Sequence, residues 1–583
     1  MKTNLSKISD PGEGKLKSIL KFVSFIFTTP GLRVLKRATS KFLQGRGIVK
    51  QHIPDYDEWI RSALAPAQLK ADFEAEYPTV RTKPVIKVVV PVPGANMENV
   101  RETADSISSQ LYPHCVEVVM ADAPFEADIV GDRRLKKNDI EEHPADYILF
   151  VKEDCLLTQN CLFELVKHIN KHPEDDIIYA DDDLVGDHGR FRDPHFKPAW
   201  SPDTLLSRNY IGNIFLIRKS LLMSLKGLPR DYEYNNGYDL LLRATEQTNK
   251  IGHIPKILAH IRPEHPSVAK HAAAKKAVKE ALVRRGLAAE VYDIHGTSDV
   301  FLVNYQVRYF GKVSIIIPSK DNSELLKTAL NSIIEKTKYP DYEIIVLNNN
   351  SVSPEFSDLM NEYAKKYPAK FRCIDASFPF NFAKLMNLGV AESKGVYIIM
   401  CNNDIEVTHS DWMTQMVSYA QQEKIGAVGV KLLYGDNTIQ HAGVVSTGTG
   451  DTSHVFVNMN KNVPGYLNNL NAVTNYSAVT AACLMCRKKL YKDSGGMEEA
   501  LAVEYNDIDL CLKFRDLGYY NVYLPSVEVY HHESATRGHP FRSKESWHQH
   551  EKELALFKSK WPTFMDRDPF YSPHLHLDGS FKG

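Results

Sequence analysis

The stretch IIMCNNDIEV, Ile398–Val407, runs a short apolar segment into Asn402-Asn403-Asp404 and then turns apolar again. Two readings compete for it. Asn and Asp favour turns and helix caps, so the triplet fits a plain turn. It equally fits a strand that ends at the mouth of a sheet, where polar side chains grip a cation and a phosphate. The surrounding sequence has to decide between them.

Working outward, the same pattern recurs. VSIII (313–317) reads as a strand, followed by Pro318 and a helical pattern over Ser323–Lys336. EIIVL (343–347) is the next strand and runs into Asn348-Asn349-Asn350-Ser351. A helix over about 354–366, a strand near Phe371–Ile374, a helix over about 381–392 and the strand VYIIM (396–400) follow. Short β-branched strands alternating with helices predict a mostly parallel, Rossmann-like sheet covered on both faces. Ligands of such sheets sit beyond the carboxyl ends of the strands, where Asn348 and Asp404 fall.

The first half of the chain echoes the second. VVVP (88–91) answers IIIP (315–318), and VEVVMAD (116–122) answers YEIIVLN (342–348). ILFVKED (148–154) answers IIMCNND (398–404) at an offset of 250. GYDLLLR (237–243) and HIPKILAH (253–260) answer DIDLCLK (507–513) and YLPSVEVYHH (523–532) at a shared offset of 270. The expected organisation is an arm and helical stretch over 1–80, a first α/β module over 81–305 and a second over 306–583.

At 583 residues the chain is too long for one core. Its net charge of −1 hides an asymmetry, because residues 1–50 carry about +9 and the rest about −10. Lys15–Lys50 reads as a basic, partly amphipathic arm, with Ile19, Phe22, Phe25 and Phe27 for an interface and Lys/Arg for an anionic membrane surface. A tail with a few apolar residues docked on the body is the plainer alternative. No run is apolar enough to span a bilayer, and no secretory signal is expected. Nucleic acid is not expected as a partner, since the body is acidic and lacks a nucleic-acid-binding motif. The eight cysteines include one isolated CxxC, Cys483 and Cys486, which predicts buried free thiols and a reducing, cytoplasmic setting rather than a zinc site.

Two further clusters carry chemistry. In EYNDIDLCLKFRDLGY (504–519), Asn506, Asp507 and Asp509 sit at the start of a helix. Carboxylates there are favoured by the helix dipole alone, or one of them faces a cleft as a general base. In YHHESATRG (530–538), two histidines, Glu533 and Arg537 follow a short strand. A neutral imidazole there completes a metal shell, and Arg537 meets phosphate.

Together VSIIIPSKDN, EIIVLNNNS, FNFAKLMN, MCNNDIEV, SGGMEEAL, YNDIDLCLKFRDLGY and HHESATRG resemble family 2 glycosyltransferases of the GT-A fold. The likeness is to the rhamnosyltransferase-like, O-antigen and polysaccharide biosynthesis kind. It covers about residues 312–577, and the first module resembles the companion module found upstream in such bacterial proteins. The resemblance implies an inverting transfer from a nucleotide-sugar donor to a glycan or lipid-linked glycan acceptor, at the inner face of a bacterial membrane. A divalent cation, Mn2+ or Mg2+, neutralises the departing diphosphate. By position, Asp404 is the metal-binding aspartate, His531 the C-terminal ligand with His532 as alternative, and Asp507 the general base. Pro318, Asp321, Asn348, Asn381, Lys384, Asn403 and Arg537 line the nucleotide pocket. Two positions depart from the family pattern: only one carboxylate remains in Asn402-Asn403-Asp404, and Asn348 stands where the family has a base-reading Asp.

The offsets set Gly237 on Asp507 and Lys152 on Asn402, while Asp154 and His260 remain. The first module is therefore expected to be degenerate, with Lys152 in the cation's place. Asp181-Asp182-Asp183 is the alternative source of a base. The rival for the whole chain is a non-catalytic glycan-binding or assembly scaffold. A processive synthase is disfavoured by the missing membrane channel, and a nucleotidyltransferase by the missing glycine-rich phosphate loop.

Overall fold

The computed structural model describes residues 55–92, 96–121, 145–225, 237–263, 267–297, 299–532 and 543–582. The chain divides into two compact units, Met1–Trp59 with Gly583, and Ile60–Lys582. Of the first unit only residues 55–59 are described, so the basic arm read over Lys15–Lys50 lies outside the described residues.

Two large sheets fill the second unit. The first contains β1 (Ile86–Val92), β2 (Cys115–Ala121), β3 (Tyr147–Val151), β4 (Cys155–Leu157), β5 (Ile177–Val185), β6 (Phe191–His195), β7 (Ile214–Arg218) and β8 (Ile251–Ile261). Its order is β2-β1-β3-β7-β5-β8-β4, with β6 on β5. A hairpin, β9 (Ala289–Asp293) and β10 (Phe301–Tyr305), leads to the second sheet. That sheet contains β11 (Val313–Ser319), β12 (Tyr342–Asn348), β13 (Phe371–Asp375), β14 (Tyr397–Cys401), β15 (Ile405–Val407), β16 (Ile425–Leu433) and β17 (Ile439–His441). After a small hairpin, β18 (Val444–Ser446) and β19 (Thr452–His454), it is completed by β20 (Thr474–Tyr476), β21 (Cys483–Arg487) and β22 (Tyr520–His531). Its order is β13-β12-β11-β14-β21-β16-β22-β15, with β17 on β16 and β20 on β22.

From β12 to β15 this order repeats that of β2 to β4, and the directions agree pair by pair. β1 runs parallel to β2 and β3, as β11 does to β12 and β14. β7 is antiparallel to β3 and β5, as β21 is to β14 and β16. β8 is parallel to β5 and antiparallel to β4, as β22 is to β16 and β15. The sheets are thus mixed, whereas the sequence pattern suggests mostly parallel ones. Parallel neighbours need a crossover, usually helical, and the alternation of strand and helix holds only as far as β14. The 49-residue excursion from Tyr434 to Ala482 between β16 and β21 imposes no crossover, and β21 enters antiparallel to both its neighbours.

Strand burial explains the continuous apolar runs. Ile315 and Ile317 of β11 point into one core and Ile316 into another, so both faces are covered. The helix Ser323–Lys336 buries Leu326, Ala329, Leu330 and Ile333, the stripe its spacing predicts. The first of these cores is shared by both sheets, running from Ile177 and Phe215 through Leu205, Val303 and Tyr419 to Val428 and Val522. Polar bonds seal the junction. The Tyr466 hydroxyl donates to Pro194 O at 2.6 Å and accepts from Phe196 N at 2.7 Å. Asn475 Oδ1 accepts from Asp203 N and Thr204 N, and its Nδ2 donates to the Asp203 carboxylate.

Candidate active site

β11, β12 and β14 are parallel and finish on one edge, which sets Ser319, Asn348 and Asn402–Asp404 side by side. Asn403 Nδ2 donates to Ser319 Oγ at 3.1 Å and ties two of these strand ends together. The chain then turns into the short β15, which pairs antiparallel with β22 so that Ile405 faces His531. His532 N donates to Asp404 O at 2.9 Å, closing the turn.

This pairing brings together two residues 127 apart in sequence. His531 Nε2 lies 3.1 Å from Asp404 Oδ1, and both side chains are less than 10% exposed. Asn402 Nδ2 is 2.9 Å from the same Nε2. His532 instead turns to Glu406, at 3.2 Å, so His531 is the histidine that reaches Asp404. Asp404 Oδ1 is buried and has His531 Nε2 beside it, with no well-aligned hydrogen bond. A carboxylate oxygen and a ring nitrogen set this close are donor types that a divalent cation takes. Among the described residues no third His, Cys, Asp or Glu joins them. Asp404 and His531 therefore fit a cation that takes its remaining ligands from substrate oxygens or water.

The helix Asn506–Asp516 separates the two candidate carboxylates. Asp509 is fully buried and spent, held by Lys513 Nζ at 2.9 Å, Lys560 Nζ at 2.6 Å and Trp561 Nε1 at 2.9 Å. Asp507 is half-buried, and accepts only backbone N–H bonds, from Ala481 and Ile508, each at 2.9 Å. The next residue, Ala482, accepts from Asn402 N through its carbonyl. Asp507 and Asn402 thus flank the same two-residue step before β21. The helix entry is held firmly: Tyr505 sits at φ +60°, costly for a bulky residue, with its hydroxyl on Asp451 and its ring stacked on Phe557. The buried Glu553 accepts from the backbone N–H groups of Ala502, Val503 and Glu504.

The expected pocket residues fall around this edge. Pro318 is the penultimate residue of β11. Asp321, at φ +51°, accepts from Val352 N and Ser353 N and shapes the loop after β12. Asn348 donates to Asp375 Oδ1 at 2.8 Å and accepts from Ser351 N, which occupies its amide. Asn381 caps the helix Phe382–Glu392 through Lys384 N and donates to Glu499 O. Lys384 Nζ lies 4.5 Å above the Phe378 ring. Arg537 lies outside the described residues. Two residues at the edge escaped the sequence reading. Asp375 ends β13 one residue beyond the strand read from the sequence, and a carboxylate at a strand end was its only signal. Gln440, which bonds to His531, leaves no signal, since its partner is 91 residues away.

Strand register also compares the two sheets directly. Cys155 of β4 faces Ile261, where Ile405 of β15 faces His531. His260, expected as the first sheet's counterpart histidine, instead faces Leu156 and bonds to Asp183 at 2.6 Å. Lys152 Nζ sits 3.1 Å from Asp154 Oδ2, both nearly buried. Gly237, at φ +71°, caps a helix whose Asp239 is bound by Arg243 and Arg284, the pairing that Asp509 makes with Lys513 and Lys560. The Asp181–Asp183 run, the alternative source of a base, is buried. Its three buried carboxylates are paired with His253, with His195 and Lys197, and with His260.

Residues 314–495 match the family described as glycosyl transferase family 2. This segment is a family 2 glycosyltransferase domain. The chain is 34% identical over 530 residues to the uncharacterized protein y4gI of Sinorhizobium fredii, covering 85% of this chain and 58% of that one. It is 31% identical over 560 residues to the O-antigen biosynthesis protein RfbC of Myxococcus xanthus, covering 90% and 43%. The chain thus spans about half the length of these curated relatives. Among solved structures it is similar to the mannosyltransferase PcManGT of Pyrobaculum calidifontis in complex with GDP-Man and Mn2+. That match has 15% identity, 51% and 73% coverage, and a TM-score of 0.32. Among the described residues no helix of this chain is long and apolar enough to cross a membrane.

Proposed function

We propose that the second module, 306–583, is an inverting glycosyltransferase that moves a sugar from a nucleotide-diphosphate donor to a hydroxyl of a bacterial surface glycan. The observation that carries this reading is the buried Asp404–His531 pair at the end of β14, beside a backbone step, Ala481–Ala482, that bonds to Asn402 on one side and to Asp507 on the other. Asp404 and His531 would hold a divalent cation, which supplies charge neutralisation for the departing diphosphate. Asp507 takes the proton of the acceptor hydroxyl as that oxygen attacks the anomeric carbon from the face opposite the leaving group. Ala481 N and Ile508 N fix the direction of its carboxylate, and Asn403 and Ser319 hold the turn beneath the donor. Nucleobase contacts are assigned to the edge formed by Pro318, Asp321, Asn348 and Asp375, and donor contacts to Asn381, Lys384 and Arg537.

In this reading residues 81–305 are a degenerate relative of the same module, and the shared strand order supports it. Lys152 puts an ammonium on Asp154, Ile261 replaces the histidine, and Gly237 replaces the base. The acceptor is proposed to be a glycan or lipid-linked glycan at the inner face of the membrane, with the basic arm Lys15–Lys50 on anionic lipid. The name of the Myxococcus relative supports the glycan assignment.

The test is incubation of the full chain with Mn2+ and a panel of nucleotide sugars, reading nucleoside diphosphate release and the anomeric configuration of the product. Release from one donor with inversion is expected. No release from any donor supports the scaffold alternative, and retention refutes the assigned role of Asp507.

A further inference from the structure

Gln440 is buried in β17 and makes two bonds to a single residue. Its Nε2 donates to the backbone carbonyl of His531 at 3.3 Å, and its Oε1 lies 2.5 Å from His531 Nδ1. The first bond orients the amide, because a carbonyl oxygen only accepts. Oε1 is then the atom that faces the ring, and an amide oxygen only accepts as well. His531 Nδ1 therefore carries a hydrogen, and in the neutral ring this leaves a lone pair on Nε2, on the side where Asp404 lies. Asn402 Nδ2, 2.9 Å from Nε2, is a donor that suits that lone pair. From behind, His454 Nδ1 lies 3.1 Å from the Gln440 carbonyl, and holds β17 in place.

The first sheet offers an internal comparison. Leu432 faces His441 as Asp182 faces His195, so the residue before each histidine corresponds: Gln440 in one sheet, Pro194 in the other. Where His531 is replaced by Ile261, Gln440 is replaced by a residue with no side-chain hydrogen-bonding group. The glutamine and the histidine are present together and absent together.

We propose that Gln440 is a positioning residue that holds His531 in the Nδ1–H tautomer, so that Nε2 and Asp404 present a two-ligand seat to a divalent cation. The proposal rests on the reading of Asp404 and His531 as the cation's ligands. Outer partners of this kind typically change metal affinity by about 10- to 100-fold.

The test uses the full chain and Mn2+ alone, with free Mn2+ read by electron paramagnetic resonance. Gln440→Leu is expected to weaken binding by about 10- to 100-fold. Gln440→Glu, which keeps an acceptor for Nδ1–H, is expected to bind close to the wild type. In the metal-free wild type labelled with 15N-histidine, and assigned with His531→Gln, the proton of His531 is expected on Nδ1. A neutral His531 ring with its proton on Nε2 and none on Nδ1 would overturn the role of Gln440 without using any variant of it. Unchanged binding by a folded Gln440→Leu, with Asp404→Asn still abolishing it, would overturn it too and leave the cation seat standing. Binding unaffected by Asp404→Asn and His531→Gln would remove the seat itself.

Discussion

Asp507 and Asp509 lie two residues apart on one helix and do different work because their neighbours differ. Asp509 is buried and gripped by two partly exposed lysines, while Asp507 is half-buried and bonded only to backbone N–H groups. Asp507→Asn is expected to lower kcat by about 10²–10⁴ with little change in thermal stability, checked by steady-state kinetics and a melting curve. Asp509→Asn should instead destabilise the fold, because it removes the buried charge that Lys513, Lys560 and Trp561 converge on. Asp203, at the junction of the sheets, has a carboxyl that burial pushes up from 3.8 to about 6, with Asn475 and Arg285 opposing. The sign follows from linkage. Below about pH 4 both folded and unfolded chains hold the proton; as pH rises through 6 the unfolded state gains from ionisation that the folded state resists, and stability is lost. Asp203→Asn, which keeps an acceptor for Asn475, is therefore expected to melt above the wild type at pH 7.5 and close to it at pH 4. A wild-type advantage at pH 7.5 would contradict this.

At the scale of elements, the site is assembled by strand ends and one braced loop. β15 is three residues long, and its pairing with β22 is what delivers His531 to Asp404. The loop into the helix Asn506–Asp516 is braced by Glu553 of the helix Lys544–Lys560, whose carboxylate gathers three backbone N–H groups. Glu553→Ala leaves these donors without their partner and is expected to cost about 3 kcal/mol, since bonds to a buried charge are worth about 1.5–3 kcal/mol each and water will recover part. Activity should fall further than stability, because the loop sets the strained Tyr505 and hence the direction of Asp507. Denaturant unfolding and kinetics on the same sample separate the two effects.

For the whole molecule, the shared core and the bonds of Tyr466 and Asn475 join the sheets. The region 60–582 is expected to unfold in one calorimetric transition, and Asn475→Ala to lower its midpoint without splitting it. Two resolved transitions would show that the modules fold independently. The pairing of Lys152 with Asp154 also makes a stoichiometric prediction: one Mn2+ per chain, lost in Asp404→Asn and kept in Asp154→Asn. A second ion in the wild type, lost with Asp154→Asn, would show that the first module keeps a working seat.

Much of the parallel half of the second sheet was legible in the chain itself. β11, β12 and β14, with the helices Ser323–Lys336 and Pro354–Lys366, announce themselves through runs of β-branched residues and a helical stripe, which are local signals. So was the edge where Asn348 and Asp404 sit, because a strand end is a local event. The antiparallel half was not legible, since β16, β21 and β22 are joined by excursions too long for periodicity to track. Nor was the choice between His531 and His532, or between His260 and Ile261, because a one-residue step in strand register decides which side chain meets the aspartate. Gln440 and Glu553 act across 91 and about 50 residues of chain. Sequence determined which residue types were available at the edge; tertiary pairing alone decided that Asp507 rather than Asp509 stayed free of side-chain partners and that His531 Nε2 faces Asp404, because hydrogen bonds are settled between neighbours in space.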